Sequence, residues 1–230
     1  IGVIRAIATD ADIILMDEPF SALDPITRTQ LQEWLYELQQ ELKKTIIFVT
    51  HDMDEALKLA DKICIMQGGK IQQYDTAENL LKHPANSFVK DFIGSDRLWS
   101  APEYIKAKDI MIKEPVKAIE TRTVIQAMEI MRTNKVDSIL VTDKNNLLVG
   151  ILTIKELRRN GIQDYYIYKV MNKDPLFIYE DCNLIEILNI MNNQNVGHIP
   201  VVSRDGQLVG LITRSSLLSV LSEQFLEMEV

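Results

Sequence analysis

Apolar residues in the first hundred positions form short runs that alternate with amphipathic segments. The run Ile13–Met16 has no helical break and predicts a short, fully buried strand, and a second run at 46–49 predicts another. Between them, apolar residues at helical spacing predict a helix from Pro25 with a core-facing stripe. That stripe consists of Leu31, Trp34, Leu35, Leu38 and Leu42. Strands at 62–66 and 70–74 predict a hairpin. This alternation is typical of an α/β fold.

The second half of the chain repeats itself with a period of 60 residues. Segments 111–157 and 171–217 share 15 identities over a span of 47 without a gap, whereas composition alone gives roughly three. In the first copy, an amphipathic helix is predicted over 123–134 and a buried strand over 138–142. The inward face of that helix is predicted to consist of Val124, Ile125, Met128 and Met131. Each copy has the order strand, helix, strand, turn, strand, helix, which predicts two α+β units.

Composition and charge limit the classes of protein that fit. The chain has 230 residues, 47% hydrophobic and 25% charged, which is ordinary for a soluble globular protein. Its net charge of −8 argues against a nucleic-acid partner, because the phosphate backbone would repel it. No apolar run approaches the roughly 20 residues needed to cross a bilayer. Cys64 falls inside an apolar run and is predicted to be a buried small hydrophobe, which fits a reducing cytoplasm.

Two consecutive carboxylates, Asp17 and Glu18, follow the first predicted strand. Open α/β sheets place their ligand chemistry at the carboxyl ends of strands. An aspartate there can hold Mg²⁺ on a nucleotide, and a glutamate one residue later can polarise an attacking water. By itself, the pair fits an acidic turn after a core strand equally well.

The residues around this pair favour the catalytic interpretation. The stretch from Ile13 to Asp24 resembles the Walker B motif and D-loop of the ABC-transporter ATPases, with four apolar residues, Asp-Glu-Pro, two residues and Ala-Leu-Asp. Twenty-six residues past Asp24, Thr50 opens a Thr-His-Asp triplet that resembles the switch histidine of the same family. The resemblance implies ATP and Mg²⁺ as cofactors. It implies Glu18 and His51 as catalytic residues, Asp17 and Asp24 as nucleotide-binding residues, and Asp17 as the residue that holds the metal.

Residues 1–8 resemble the helix that follows the signature motif of ABC ATPases. The sequence contains neither that motif nor a Gly-rich phosphate loop with its lysine. We therefore expect the chain to begin within an ATPase domain. We also expect no ATP hydrolysis by residues 1–230 alone, because that loop holds the β- and γ-phosphates.

The repeated half resembles the CBS domain. Each copy carries the Gly-hydrophobic-hydrophobic-Thr signature, at 150–153 and 210–213, and the resemblance covers residues 105–222. Two such domains in tandem form a pseudo-twofold pair, the Bateman module, which usually binds adenine nucleotides between its halves. The fold implied for the whole chain is α/β, with the C-terminal part of an ABC ATPase domain and its parallel-sheet core followed by an α+β tandem CBS module.

This resemblance implies a ligand site. Thr213 can donate its hydroxyl to phosphate or ribose, and Arg214 directly after it is a better anion partner. His198 can stack on a base or can be a half-exposed histidine at a strand start. Val116 and Leu211 can sandwich a purine or can belong to the core, and Arg214 can equally be an exposed residue at a helix start.

The combination resembles the energising subunit of bacterial importers for glycine betaine, carnitine and choline. It implies a homodimer, membrane-spanning permease subunits, a substrate-binding protein, and a place on the cytoplasmic face of the cell membrane. The alternative is that this chain acts alone as a non-catalytic regulatory dimer. The expected domains are 1–93 for the ATPase part, 94–104 for a linker, 105–160 and 164–222 for the CBS domains, and 223–230 for an acidic tail.

Two kinds of osmotic control fit such a module. Many CBS domains grip a ribose with an aspartate three residues after the threonine, but Glu156 and Ser216 stand there in this chain. This difference disfavours ATP and AMP and leaves room for cyclic di-AMP. Sensing of ionic strength or of an adenine nucleotide stays open as the alternative. Ionic-strength sensing would use the exposed charges of Lys106, Lys108, Lys113 and Lys117 against those of Glu223, Glu227 and Glu229.

Overall fold

The computed structural model describes residues 11–94, 97–98, 101–160 and 165–219. The chain divides into two compact units, Ile1–Arg97 and Leu98–Val230. The sequence predictions for residues 1–8 and for the acidic tail at 223–230 lie outside the described residues. Among the described helices, none has both the length and the apolar character that crossing a bilayer requires.

The first unit is built around a parallel pair of strands. Strand β1 (Ile13–Asp17) pairs in register with β2 (Thr45–Val49), and helix α1 (Pro25–Leu42) connects them. The α1 helix begins where the sequence predicts, because the Asp24 carboxylate accepts a hydrogen bond from the Thr27 amide and Pro25 fixes the first helical position. The elements that follow are α2 (Met53–Leu59), the hairpin of β3 (Ile63–Gln67) and β4 (Lys70–Asp75), α3 (Ala77–Lys82) and α4 (Ser87–Ile93).

Fewer side chains are buried in the first unit than the sequence predicts. Strand β1 is not fully buried: Ile14 and Met16 are buried, whereas Ile13 and Leu15 are 60% and 72% exposed. The prediction missed that successive side chains of a strand point to opposite faces, and only one face of this pair is covered by described residues. On the covering helix, Leu35 is buried, while Trp34 and Leu42 are exposed. Cys64 also lies on the exposed face of its strand, so its predicted burial is wrong.

The second unit contains two three-stranded sheets of identical order. Strands β5 (Lys117–Ile119), β6 (Ser138–Thr142) and β7 (Leu148–Thr153) form the first, and β8 (Ile178–Tyr179), β9 (His198–Val202) and β10 (Leu208–Thr213) form the second. In each sheet the first two strands are parallel and the last two antiparallel. The helices are α5 (Ala107–Ile110), α6 (Val124–Asn134), α7 (Ile154–Asn160), α8 (Leu184–Asn193) and α9 over 214–219, with 3₁₀ turns at Pro102–Tyr104 and Ile167–Lys169.

The segment that precedes each repeat packs into the core of the other repeat. Ile105, Ala107 and Ile110 join the core of the second repeat, and Ile167 and Val170 join that of the first. Backbone hydrogen bonds fix this exchange, because Ile112 pairs with Leu211 and Ile151 pairs with Asn172. Separating the two repeats would therefore expose part of both cores.

Two glycines make room for this exchange. A Cβ atom on Gly150 would lie 2.7 Å from both the Asn172 carbonyl oxygen and the Met171 sulfur, and one on Gly210 would lie 2.4 Å from the Met111 sulfur. These distances are far below van der Waals contact. The close approach explains why both repeats carry glycine at this point of the signature.

We expect Gly150→Ala to destabilise the second unit by about 1–3 kcal/mol, because the crossing backbone at Asn172 must move. Thermal unfolding of the 230-residue chain measures the change. Gly197→Ala is the matched control, since nothing lies within 4 Å of a Cβ there. Equal unfolding midpoints for the two variants would contradict the close-approach account.

The buried face of α6 contains the residues that the sequence predicts, with one exception. Val124 and Met131 are buried, Met128 is partly buried, and Ile125 is 54% exposed. The buried positions are three and four residues apart, so a residue directly after Val124 turns about 100° away from the core. Ile185, the equivalent residue of the second repeat, is also exposed, at 43%.

Candidate functional site

The candidate catalytic residues lie at the carboxyl end of the parallel pair. Asp17 ends β1 opposite Val49, and the Glu18 amide donates a hydrogen bond to the Val49 carbonyl over 2.8 Å. Glu18 has a left-handed backbone (φ 43°), which turns the chain sharply at the strand end. The turn places Glu18 beside the loop that follows β2.

Glu18 and His51 are in direct contact. His51 Nδ1 lies 2.7 Å from Glu18 Oε1, although 33 positions separate the residues in sequence. The imidazole is 76% exposed and the carboxylate 39% exposed, so both remain open to solvent. A carboxylate and a histidine in hydrogen-bond contact at a strand end can together orient and activate a water.

Asp17 and Asp24 differ in their surroundings. Asp17 is exposed at the end of β1. A single carboxylate suits Mg²⁺, which proteins hold through one or two carboxylates together with phosphate oxygens. Asp24 caps α1, and the hydrogen bonds from Thr27 lower the pKa of its carboxyl. Its predicted contact with nucleotide stays a prediction beside this structural role.

We expect His51 to keep its proton to a higher pH than a free histidine. The hydrogen bond and charge of Glu18 raise the pKa of His51 above its ordinary value of 6.5, and the charges of Asp52 and Glu55 act in the same direction. The stabilisation from the pair is therefore complete below the unfolded pKa and is lost as the pH rises through the folded pKa.

NMR titration of the His51 ring in the 230-residue chain measures this shift. Glu18→Gln should return the midpoint toward 6.5, whereas Glu37→Gln on the exposed side of α1 should leave it in place. An unchanged titration midpoint in Glu18→Gln would mean that the contact between Glu18 and His51 does not persist in solution.

Three of the predicted ligand residues meet at one corner of the second repeat. His198 begins β9 directly opposite Thr213 at the end of β10, and the Arg214 amide donates to the Gly197 carbonyl over 3.1 Å. Leu211 lies two residues earlier on β10 and pairs with Ile112. The Arg214 side chain is exposed.

Val116 belongs to a different part of the unit. It packs against the core of the first repeat, and its carbonyl accepts a hydrogen bond from the Leu140 amide. No described contact joins Val116 to His198 or Arg214. The structure thus brings three of the five predicted residues together, with Leu211 two residues away on β10, and leaves Val116 with the first repeat.

The residues three positions after each signature threonine act as helix caps. The Glu156 carboxylate accepts hydrogen bonds from the Thr153 amide and hydroxyl, and the Glu156 amide donates back to the same hydroxyl. Ser216 and Thr213 exchange equivalent hydrogen bonds. This reciprocal arrangement is a capping box. Neither residue extends toward a ligand as an aspartate on a ribose would.

Sequence reasoning missed one residue near the candidate catalytic pair. Glu55 on α2 is only 5% exposed and accepts hydrogen bonds from Gln32 and Thr50. Its position three residues after the helix cap Asp52 predicts a capping role and gives no sign of burial. Only the folded structure shows that its carboxylate lies between α1 and the His51 loop.

Comparison with known proteins identifies both halves of the chain. The CBS domain family model matches residues 107–162 and 167–223. The carnitine transport ATP-binding protein OpuCA of Listeria monocytogenes is 45% identical over 221 residues, which are 96% of this chain and 56% of that protein. The chain contains two CBS domains in tandem and is similar over nearly its whole length to ATP-binding subunits of osmoprotectant transporters. An alignment of 221 residues is longer than the second unit, so this similarity includes the first unit.

A second ATP-binding subunit of an osmoprotectant transporter gives a similar result. The glycine betaine/carnitine/choline transport ATP-binding protein OpuCA of Bacillus subtilis is 42% identical over 96% of this chain and 58% of its own length. The chain thus spans little more than half of the curated relatives it matches. A solved structure of OpuCA from Staphylococcus aureus is 30% identical over 50% of this chain and 97% of that chain, with a TM-score of 0.44. The CBS family model and the identities to transporter ATP-binding subunits confirm both family resemblances drawn from the sequence.

Proposed function

We propose that the whole protein is the ATP-hydrolysing subunit of an importer for quaternary ammonium osmoprotectants. The observation that carries this proposal is 45% identity over 96% of the chain to a carnitine transport ATP-binding protein. The contact between Glu18 and His51 at the carboxyl end of β1 supports it, because the two groups lie where a nucleotide-bound water would be activated. Asp17 would hold Mg²⁺ on the nucleotide.

The proposed partners are a second copy of the subunit, permease subunits and a substrate-binding protein, at the cytoplasmic face of the membrane. Exposed apolar side chains on α6 and α8 support the homodimer. Ile125, Ile185 and Leu188 are 54%, 43% and 42% exposed, and a groove of 350 Å³ lies beside Met128 and Ile154. Exposed apolar side chains at equivalent positions of both repeats are a feature expected of an interface between two copies.

The proposed regulator is cyclic di-AMP, bound by the tandem CBS domains. His198, Thr213 and Arg214 at one corner offer a stacking surface, a hydroxyl and a cation. The Glu156 carboxylate is engaged as a helix cap and Ser216 has no carboxylate, so neither is available for the ribose of ATP or AMP in the way an aspartate would be. Ionic-strength sensing through exposed lysines remains the second candidate, supported by the net charge of −8.

Transport by the complete subunit tests the function. The gene for the complete subunit is expressed with its permease and binding protein in a bacterial strain that lacks osmoprotectant uptake. We expect ATP-dependent accumulation of labelled carnitine, choline or glycine betaine at high osmolarity. ATP hydrolysis without uptake of any of these solutes would contradict the proposal. Residues 1–230 alone are the control and should hydrolyse no ATP, because the sequence contains no phosphate-binding loop.

A further inference from the structure

Glu55 is a buried carboxylate with three partners from two different segments. Its Oε1 accepts a hydrogen bond from Gln32 Nε2 at 3.3 Å and lies 3.9 Å from Arg28 Nε, both on α1. Its Oε2 accepts a hydrogen bond from the Thr50 hydroxyl at 2.7 Å. A buried carboxylate is costly unless it is paired, so this set of partners fixes where the α2 helix sits against α1.

The network reaches both loops that carry candidate catalytic residues. The Thr50 hydroxyl, which donates to Glu55, also accepts a hydrogen bond from the Asp52 amide at 3.0 Å, so it braces the loop on both sides of His51. At the other end, Arg28 donates to the Leu23 carbonyl at 3.2 Å, directly before the α1 cap. Glu55 therefore stands between the loop that carries His51 and the turn that follows the Walker B strand.

One polar atom of the network has no hydrogen bond. Among the described residues, Arg28 Nε is buried and lacks a hydrogen-bond partner. A movement of about 1 Å toward Glu55 would bring it within normal hydrogen-bond distance. This donor is therefore the one position in the described network where a closer approach of α1 and α2 would add a hydrogen bond.

We propose that Glu55 is a positioning residue for ATP hydrolysis, which holds His51 in place through Thr50 and ties that loop to the turn at Leu23 through Arg28. This inference rests on the proposed ATPase function. A purely structural cap does not account for the geometry, because Asp52 already caps α2 by accepting from the Asp54 and Glu55 amides. The Glu55 side chain is not needed to cap α2. Its carboxylate instead accepts hydrogen bonds from α1 and from the loop that carries His51.

Variants of Thr50 test this positioning role without removing the buried charge, which could unfold the domain. In the complete subunit, Thr50→Val removes the bridging hydroxyl at constant volume. We expect kcat for ATP hydrolysis to fall about tenfold or more with little change in KM, because a small misplacement of a catalytic group acts mainly on the chemical step. Thr50→Ser should restore turnover. Thr29→Val, which removes an exposed hydroxyl on α1, should match the wild type.

Wild-type turnover in Thr50→Val would overturn the positioning role, and so would a loss that Thr50→Ser fails to restore. The 230-residue chain supplies a second readout that needs no ATPase activity. There, Thr50→Val should speed hydrogen exchange at the Asp52 amide, whose acceptor is lost. Unchanged exchange would also overturn the inference. If the wild-type complete subunit does not hydrolyse ATP, the proposed function fails, and the exchange measurement still decides whether the network braces the loop.

Discussion

Glu18→Gln in the complete subunit is expected to keep ATP binding and to lower ATP turnover about 10²- to 10⁴-fold. Glutamine has nearly the same size as glutamate and can still hydrogen-bond, so the nucleotide site keeps its shape. It cannot take a proton from water, and positioned general bases contribute rate enhancements of this order. Glu18 lies just after the carboxyl end of β1 with His51 in contact at 2.7 Å, a position that suits this proposed role.

Steady-state ATP hydrolysis and nucleotide-binding titrations on purified complete subunit measure this effect. Glu37→Gln, an identical change on the exposed side of α1, is the matched control and should behave as the wild type. If ATP turnover in Glu18→Gln stays within a few-fold of wild type, Glu18 is not the general base. His51→Ala should lose turnover as well. Because the two side chains are in direct contact, we expect them to act as one unit, so the double variant should be no slower than the slower single variant.

Local elements of the fold were predictable because their signals lie within a few residues. The signals that bound the α3 helix are visible in the sequence, since Thr76 caps its start and Pro84 follows its end. Strand β6 also matches its predicted range, and Thr123 caps α6 in a reciprocal pair with Gln126. Caps, breaks and hydrophobic period are all properties of short windows, so they can be recognised without knowledge of the folded chain.

Contacts between distant residues were not predictable in the same way. The repeat predicts two similar halves of the second unit, but it does not reveal that Ile105 packs into the core of the second repeat and Ile167 into that of the first. An exchanged segment leaves the repeat period unchanged. Burial of Glu55 also depends on Arg28 and Gln32 from another helix. The Glu18 and His51 motifs were recognised separately, and only the register of β1 against β2 brings them together.

The second large effect is expected on ligand affinity, at the predicted ligand residues that the second repeat brings together. The second repeat joins His198, Thr213 and Arg214 at one corner, whereas the first repeat has Ile154 in the place of Arg214. One subunit therefore offers one such cationic corner. Two subunits related by a twofold axis would offer a matched pair, and cyclic di-AMP is a twofold-symmetric ligand with two phosphates and two adenines.

We expect the 230-residue chain to dimerise and to bind cyclic di-AMP, and Arg214→Ala to weaken that binding about tenfold to a hundredfold. A charge-assisted hydrogen bond to phosphate contributes about 1.5–3 kcal/mol, which corresponds to this range of affinity. Arg159→Ala, the same change on the exposed side of α7, is the control. Titration calorimetry with cyclic di-AMP, ATP and AMP, together with sedimentation of the free chain, measures both expectations. Binding of none of the three would favour ionic-strength sensing, because exposed charge would then be the remaining sensor. ATP binding that persists in Arg214→Ala would place the ligand away from this corner.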